Sequence, residues 1–276
     1  MLSERLVFIR RGGLGDFILS LPLLRVLRAR YHRVCLVTRR ACLDLLPSDC
    51  AYDAVLDADS AEFAGLFAGS APIPARVGDE LRGADVISFL APDAVLVANF
   101  ARCGVRNVRW VNSRPTAPPH AALHFFADAG EEPPPGLLSQ PLWSGPRCGG
   151  GLWVHPGSGG RGKNLPAARF AEFARNWLAT HDGQVILSFG EADVALVDPA
   201  QAAFRAAGVP FQMVLQPSLA ELKRRMCAES GAYVGNDSGV SHLAGALGVP
   251  STVFFRSTDP RIWRPLGRVE VVEWRE

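Results

Sequence analysis

Three short stretches of this chain hold residues whose types and spacing could do chemistry. The first is Val234-Gly235-Asn236-Asp237-Ser238-Gly239-Val240-Ser241-His242-Leu243-Ala244. It reads as the end of a buried strand, a tight polar turn, and a helix that stops at Gly248-Val249-Pro250. Asp237 or Ser238 can cap that helix by accepting from a free backbone N–H. Unsatisfied first-turn N–H groups at the positive end of the helix dipole make such a junction a ready anion site, while most capped turns of this kind bind nothing. The second stretch, Pro156-Gly157-Ser158-Gly159-Gly160-Arg161-Gly162-Lys163-Asn164-Leu165-Pro166, also leaves an apolar run, and so does Gly190-Glu191. Backbone N–H groups, one ammonium and a helix N-terminus are what a diphosphate needs. The third stretch, Arg10-Arg11-Gly12-Gly13-Leu14-Gly15-Asp16, sets a single carboxylate beside flexible glycines at a helix start. Asp16 reads either as a first-turn helix acid or as a general base at the mouth of a cleft.

Two better-known motifs are approached and missed. Gly157 and Gly162 have the Walker A spacing and Lys163 follows, but Asn164 stands where Ser or Thr would hold Mg²⁺ and Pro166 interrupts the helix start. Gly13-x-Gly15 is followed by Ile18 where a dinucleotide site needs a third glycine, and no acidic residue closes a second strand near Val34–Thr38. The chain therefore fits neither a P-loop NTPase nor an NAD enzyme. Lys163 and Lys223 are the only lysines among 29 basic residues. A position that stays Lys in an arginine-rich chain points to a need for a compact ammonium rather than a planar fork.

The elements that must position these residues alternate regularly. In the first half strands are expected at Leu6–Ile9, Val34–Thr38, Ala54–Leu56, Asp85–Leu90 and Val108–Val111. Helices are expected from Phe17 to Leu27, over 41–46, 62–68 and 93–102, and near 121–129. Residues 131–151 are dense in Pro and Gly and mark a domain boundary, with domains at 1–135 and 150–276. The pattern restarts with strands at Leu152–His155, Val185–Phe189, Phe211–Leu215, around Val234, at Thr252–Phe255 and at Val269–Glu273. Helices are expected at 167–179, around Val194 and Val197, and at 219–228. Such alternation means βαβ units on parallel sheets, an α/β fold whose ligands gather at the strand C-termini.

Composition bounds the rest. Of 276 residues 48% are hydrophobic and the mean hydropathy is +0.11, so real cores can form. No apolar run reaches the ~18–20 residues that span a bilayer, and the first residues lack a signal-peptide core, so a cytoplasmic protein is expected. Cys35, Cys42, Cys50, Cys103, Cys148 and Cys227 form no Cys-x-x-Cys pair and lie at no metal-ligand spacing from a His, which predicts reduced, mostly buried thiols and no structural zinc. Residues 1–40 carry nine arginines against Glu4 and Asp16, a local charge of +7 in a chain of net +2. That asymmetry reads either as a surface for an anionic partner or as a solvated arginine face.

Taken together, the stretches resemble glycosyltransferase family 9, the ADP-heptose:lipopolysaccharide heptosyltransferases. The resemblance runs through Gly13-Leu14-Gly15-Asp16 with Pro22-Leu23-Leu24, His155-Pro156-Gly157 with Lys163-Asn164-Leu165-Pro166, and Gly235 to Ala244 with Ala246 to Pro250. It implies a GT-B type fold, two Rossmann-like parallel-sheet domains facing a cleft, with acceptor bound by the N-terminal domain and nucleotide-sugar by the C-terminal one. It implies inverting transfer of a heptose or related sugar from an ADP-sugar co-substrate, with no metal, no cofactor and no nucleic acid. Asp16 would be the general base and Lys163 would neutralise the leaving diphosphate. Ser158, Gly159, Lys163, Gly190, Glu191, Asn236, Asp237, Ser238, Gly239 and His242 would hold the donor, and Arg11, Gly13 and Gly15 the acceptor. His242 reads equally as an orienting residue or as a packed helix histidine. The acceptor would be an anionic glycan or glycolipid such as lipopolysaccharide inner core, with peripheral contact to the cytoplasmic face of the inner membrane.

The chain departs from the family at Leu165, where an aromatic is usual, and at Arg256-Ser257-Thr258, where a Gly-Pro-Thr turn is usual. It also has no evident C-terminal helix after Trp263. These departures leave open a nucleotide-sugar-binding protein without catalysis, or another GT-B enzyme with a different donor, such as an epimerase.

Overall fold

The computed structural model describes residues 3–69, 72–143 and 149–274. Part of the 131–151 boundary stretch and Cys148 lie outside the described residues. The chain divides into two compact units, Met1–Pro135 and Gly136–Glu276.

In the N-terminal unit the strands are β1 Ser3–Ile9, β2 Tyr31–Thr38, β3 Ala54–Asp57, β4 Asp85–Ser88 and β5 Asn107–Trp110. The helices are α1 Leu14–Arg28, α2 Ala61–Ala64, α3 Ala75–Leu81, α4 Ala94–Arg102 and α5 Ala121–Ala129. The sheet is parallel, in the order β3-β2-β1-β4-β5. β1 sits at its centre, with Val7 opposite Cys35 on one side and Val86 on the other. Helix α3 is an addition to the sequence reading. Its seven residues bury only Val77 and Leu81, too short a stripe for periodicity to register. The stretch expected as a helix over 41–46 is a 3₁₀ turn, Arg40–Leu45.

The C-terminal unit has β6 Gly151–His155, β7 Val185–Phe189, β8 Gln212–Leu215, β9 Ser230–Asn236, β10 Ser251–Phe255 and β11 Val269–Glu273. Its helices are α6 Ala167–Leu178, α7 Val197–Ala206, α8 Leu219–Glu229, α9 Gly239–Ala246 and the single turn α10 Pro260–Trp263. The sheet order is β11-β10-β9-β6-β7-β8, all parallel. Every residue of β6 and β7 is buried, as a sheet covered by helices on both faces requires. The strand order reverses between β6 and β9, whose ends pair His155 with Gly235. That reversal is where doubly wound sheets open a crevice.

The second unit begins before the expected residue 150. Leu137 and Leu142 are buried, the Leu142 N–H donates to the Ala246 carbonyl at 2.7 Å, and the Gly267 N–H donates to that of Leu138 at 3.0 Å. The Pro/Gly-rich stretch therefore includes, from Gly136 to Trp143, an ordered strap on the C-terminal unit.

Candidate functional site

At the strand reversal of the C-terminal unit, two loops meet. Asn236, wholly buried at the end of β9, ties them together: its Nδ2 donates to the Pro156 carbonyl at 2.7 Å and its Oδ1 accepts from the Leu165 N–H at 3.3 Å. Its amide is thus spent on positioning. Lys163 sits on a short 3₁₀ turn, Arg161–Lys163, and its Nζ donates to Asp237 Oδ2 at 2.5 Å. Thr258 Oγ1 donates to the same oxygen at 2.6 Å. Asp237 is buried, whereas the Lys163 side chain is about one-third exposed. Of the two candidate caps of α9 the structure uses Ser238, which accepts from the Ser241 N–H at 3.3 Å. Gly239 is the first residue of α9, and His242 is buried within it.

The other loop opens onto a cavity of about 610 Å³. Ser158, Gly159, Gly160 and Asn164 line one side, and Ala192, Ala195, Leu196 and Pro199 form an apolar wall. Ser158 Oγ lies 2.6 Å from Asn164 Oδ1 and 2.8 Å from the Gly160 carbonyl, which shapes the loop. Of the expected donor set, Ser158 and Gly159 line this cavity and the loop of Lys163 borders it, whereas Asn236, Asp237, Ser238, Gly239 and His242 are not among its lining residues. Gly190 and Glu191 are not among its lining residues: Gly190 caps the 3₁₀ turn Glu191–Leu196, and the following alanines face the cavity instead.

Beneath the loop lies a buried polar layer that the sequence reading did not foresee. His155 Nδ1 lies 3.0 Å from the Ser188 carbonyl and its Nε2 3.6 Å from Asp193 Oδ2, which also accepts from the Gly190 N–H at 2.9 Å. Burial holds the His155 imidazole below its ordinary value, and Asp193 opposes the fall. Gly157 rests on this layer: a Cβ there would lie 2.1 Å from Asp193 Oδ1. The sequence marks Thr258 only as part of an altered turn, and its contact with Asp237 comes from the fold.

In the N-terminal unit Asp16 is the third residue of α1. Its Oδ2 accepts from the Gly13 N–H at 3.1 Å, the acidic half of a capping box whose other half a glycine cannot supply. Gly15 is the second residue of α1. Gly12, at φ +155°, leaves room for the carboxylate, since a Cβ there would lie 3.0 Å from Oδ2. Arg10 Nη2 lies 3.3 Å from Asp16 Oδ1, and Arg10 Nε donates to the Asp16 carbonyl at 3.0 Å. Burial draws the Arg10 guanidinium down to about 10, with Asp16 opposing and Arg114 adding to the fall, so it stays a cation at neutral pH. Arg11 is exposed and shares Asp59 with Arg39, at 3.4 and 3.2 Å.

Cys35 and Cys50 are buried, and burial pushes both thiols up to about 12. Among the described residues no three His, Cys, Asp or Glu side chains converge as a metal site would need, and no helix is long and apolar enough to cross a membrane.

Residues 151–275 match the profile of glycosyltransferase family 9 (heptosyltransferase). A provisionally named glycosyltransferase of Haemophilus influenzae is 27% identical over 128 residues, a segment covering 43% of this chain and 35% of that protein's length. In fold the chain is similar to a family 9 glycosyl transferase from Veillonella parvula (TM-score 0.74, 17% identity, 99% of this chain and 86% of that one). It is also similar to the E. coli heptosyltransferase WaaC solved with ADP (TM-score 0.67, 19% identity, 98% and 93%).

Proposed function

We propose, from the match of the C-terminal unit to glycosyltransferase family 9, that this chain is an inverting glycosyltransferase that needs no metal. The donor is a nucleoside diphosphate sugar, with an ADP-heptose as the first candidate, and the acceptor is a hydroxyl of an anionic glycan. The observation that carries the reading is the loop of Lys163 at the strand reversal, bordering a cavity with glycine and serine on one side and an apolar wall on the other. The apolar wall suits a nucleobase, and the loop N–H groups and the ammonium suit the diphosphate. Asp237 and Thr258 hold Lys163 in place, and Asn236 joins the two loops.

In the reaction the acceptor hydroxyl gives its proton to Asp16 while its oxygen bonds the anomeric carbon from the face opposite the diphosphate. The bond from that carbon to the diphosphate oxygen breaks, and its electron pair leaves with the nucleotide. Lys163 offsets the charge that develops there. An anionic acceptor is supported by Arg11 and Arg39, two exposed cations that share one carboxylate.

Thermal-shift titration with ADP, UDP, GDP, CDP and NAD tests the donor site. A ligand of the native state at a hundredfold excess over Kd adds about 2.7 kcal/mol of stability. A shift with ADP alone is expected; a shift with UDP or GDP changes the donor, and none at all removes the site. Asp16→Asn then abolishes transfer from ADP-heptose with ADP affinity unchanged. Wild-type turnover in that variant rejects the base, and ADP binding without turnover by the wild type favours a non-catalytic binding protein.

A further inference from the structure

Arg10 and Arg11 are chemically identical neighbours, yet Arg10 is 1% exposed and Arg11 half exposed. The Arg10 guanidinium carbon lies 4.4 Å from the ring centroid of Phe89 and 5.3 Å from that of Phe125, and these two rings meet edge-on at 5.0 Å. The backbone of Arg10 is also pinned, its N–H donating to the Val37 carbonyl at 2.9 Å. A cation held this firmly in an aromatic box reaches only one carboxylate in the described residues, and that carboxylate is 39% exposed. Such a pair is a poor source of stability, because an apolar side chain of similar volume fills a buried site at least as well. Its value lies in direction. Asp16 is held by two hydrogen bonds, its carbonyl accepting from Arg10 Nε and its Oδ2 from the Gly13 N–H, and Oδ1 adds an ion pair with Arg10 Nη2 at 3.3 Å.

We infer that Arg10 is the positioning residue of the Asp16 base, aiming an exposed carboxylate from a rigid, buried guanidinium. The inference rests on the proposed function for the identity of the base, and not for the contacts. Arg10 takes no proton itself and acts through its ion pair with Asp16. It acts by holding the carboxylate in one rotamer, so that the acceptor hydroxyl meets an oxygen already in line. A base displaced by about 1 Å costs on the order of a hundredfold in rate.

The test uses the full chain as wild type, Arg10→Lys, Arg10→Met, Asp16→Asn and the Arg10→Met/Asp16→Asn double variant. ADP release from ADP-heptose with water as acceptor gives kcat and KM, calorimetry gives the ADP affinity, and NMR gives the exchange rate of the Gly13 amide. Arg10→Met should lower kcat about 10- to 100-fold while KM and ADP affinity stay within about twofold. Arg10→Lys should recover part of the loss, since an ammonium keeps the charge but cannot span both the carbonyl and the carboxylate. The double variant should be no slower than Asp16→Asn, as expected of two residues acting as one unit. Gly13 exchange should quicken about tenfold in Arg10→Met. A wild-type rate in Arg10→Met beside an inactive Asp16→Asn overturns the inference and leaves the proposed function standing. An equal fall in ADP affinity and kcat makes Arg10 merely structural. If Asp16→Asn turns over normally, or no chain hydrolyses the donor, the base assignment fails instead, and unchanged Gly13 exchange then also overturns the positioning.

Discussion

At the scale of single residues, charge placement decides what the C-terminal site can do. Lys163 is an ammonium tethered by Asp237 and left one-third exposed, so it is aimed without being buried. Lys163→Ala should weaken ADP binding about 10- to 100-fold, the worth of a charged hydrogen bond, and slow transfer with it. Lys163→Arg should return only part, because a planar fork does not replace a point charge. Calorimetry with ADP and the transfer rate check both, and full activity in Lys163→Ala would reduce the residue to a solvated loop cation. His155 makes a separate prediction. Burial depresses its folded pKa below the usual 6.5. Below pH 6.5 the unfolded chain takes up a proton that the native chain refuses, so this stability is present above 6.5 and drains away as pH falls. The melting temperature should therefore drop between pH 7.5 and 5.5 in the wild type and drop less in His155→Gln; parallel curves would reject the assignment.

At the scale of elements, the loop after β6 owes its path to what lies under it. Gly157 is excluded from carrying a side chain by the Asp193 carboxylate, whereas an added Cβ at Gly159 meets nothing within 4 Å. Gly157→Ala should cost about 1–3 kcal/mol and pull the loop off the cavity, lowering ADP affinity. Gly159→Ala should leave stability within about 0.5 kcal/mol. Urea unfolding of the two variants, followed by ADP titration, separates them; equal effects would mean the Asp193 layer does not set the loop. Two glycines in one run thus play different parts, one forced by packing and the other open to the cavity.

At the scale of the whole molecule, the basic N-terminal segment does not make a basic unit. Residues 1–135 contain fifteen arginines and fifteen acidic residues. All nine arginines of the first forty residues pair with carboxylates, seven of them with acids between Asp49 and Asp59 or at Glu80, beyond the segment itself. An anionic acceptor, on the proposed reading, is recognised by local cations such as Arg11 and Arg39 rather than by a net field. The strap from Gly136 to Trp143 belongs to the C-terminal unit, so Leu142→Ala should cost about 2–3 kcal/mol in the melting step that ADP shifts. A loss confined to a step insensitive to ADP would place the strap elsewhere.

Local order was legible from the chain alone. Helix α5 at Ala121–Ala129 and strands β7 and β11 stand at their expected bounds, because hydrophobic period and turn chemistry act over a few residues. The Gly/Ser-rich make-up of the turns at the strand ends is local too, but the choice of Ser238 over Asp237 as the cap of α9 needed the fold. Pairing needed it as well. Lys163 meets Asp237 across 74 residues only because β6 and β9 are neighbours at the strand reversal. Thr258 joins them from beyond β10, and Arg10 differs from Arg11 only through Phe89 and Phe125. Burial and partnership are set by elements distant in sequence, so the tertiary structure alone decided which of the chemically able residues act together.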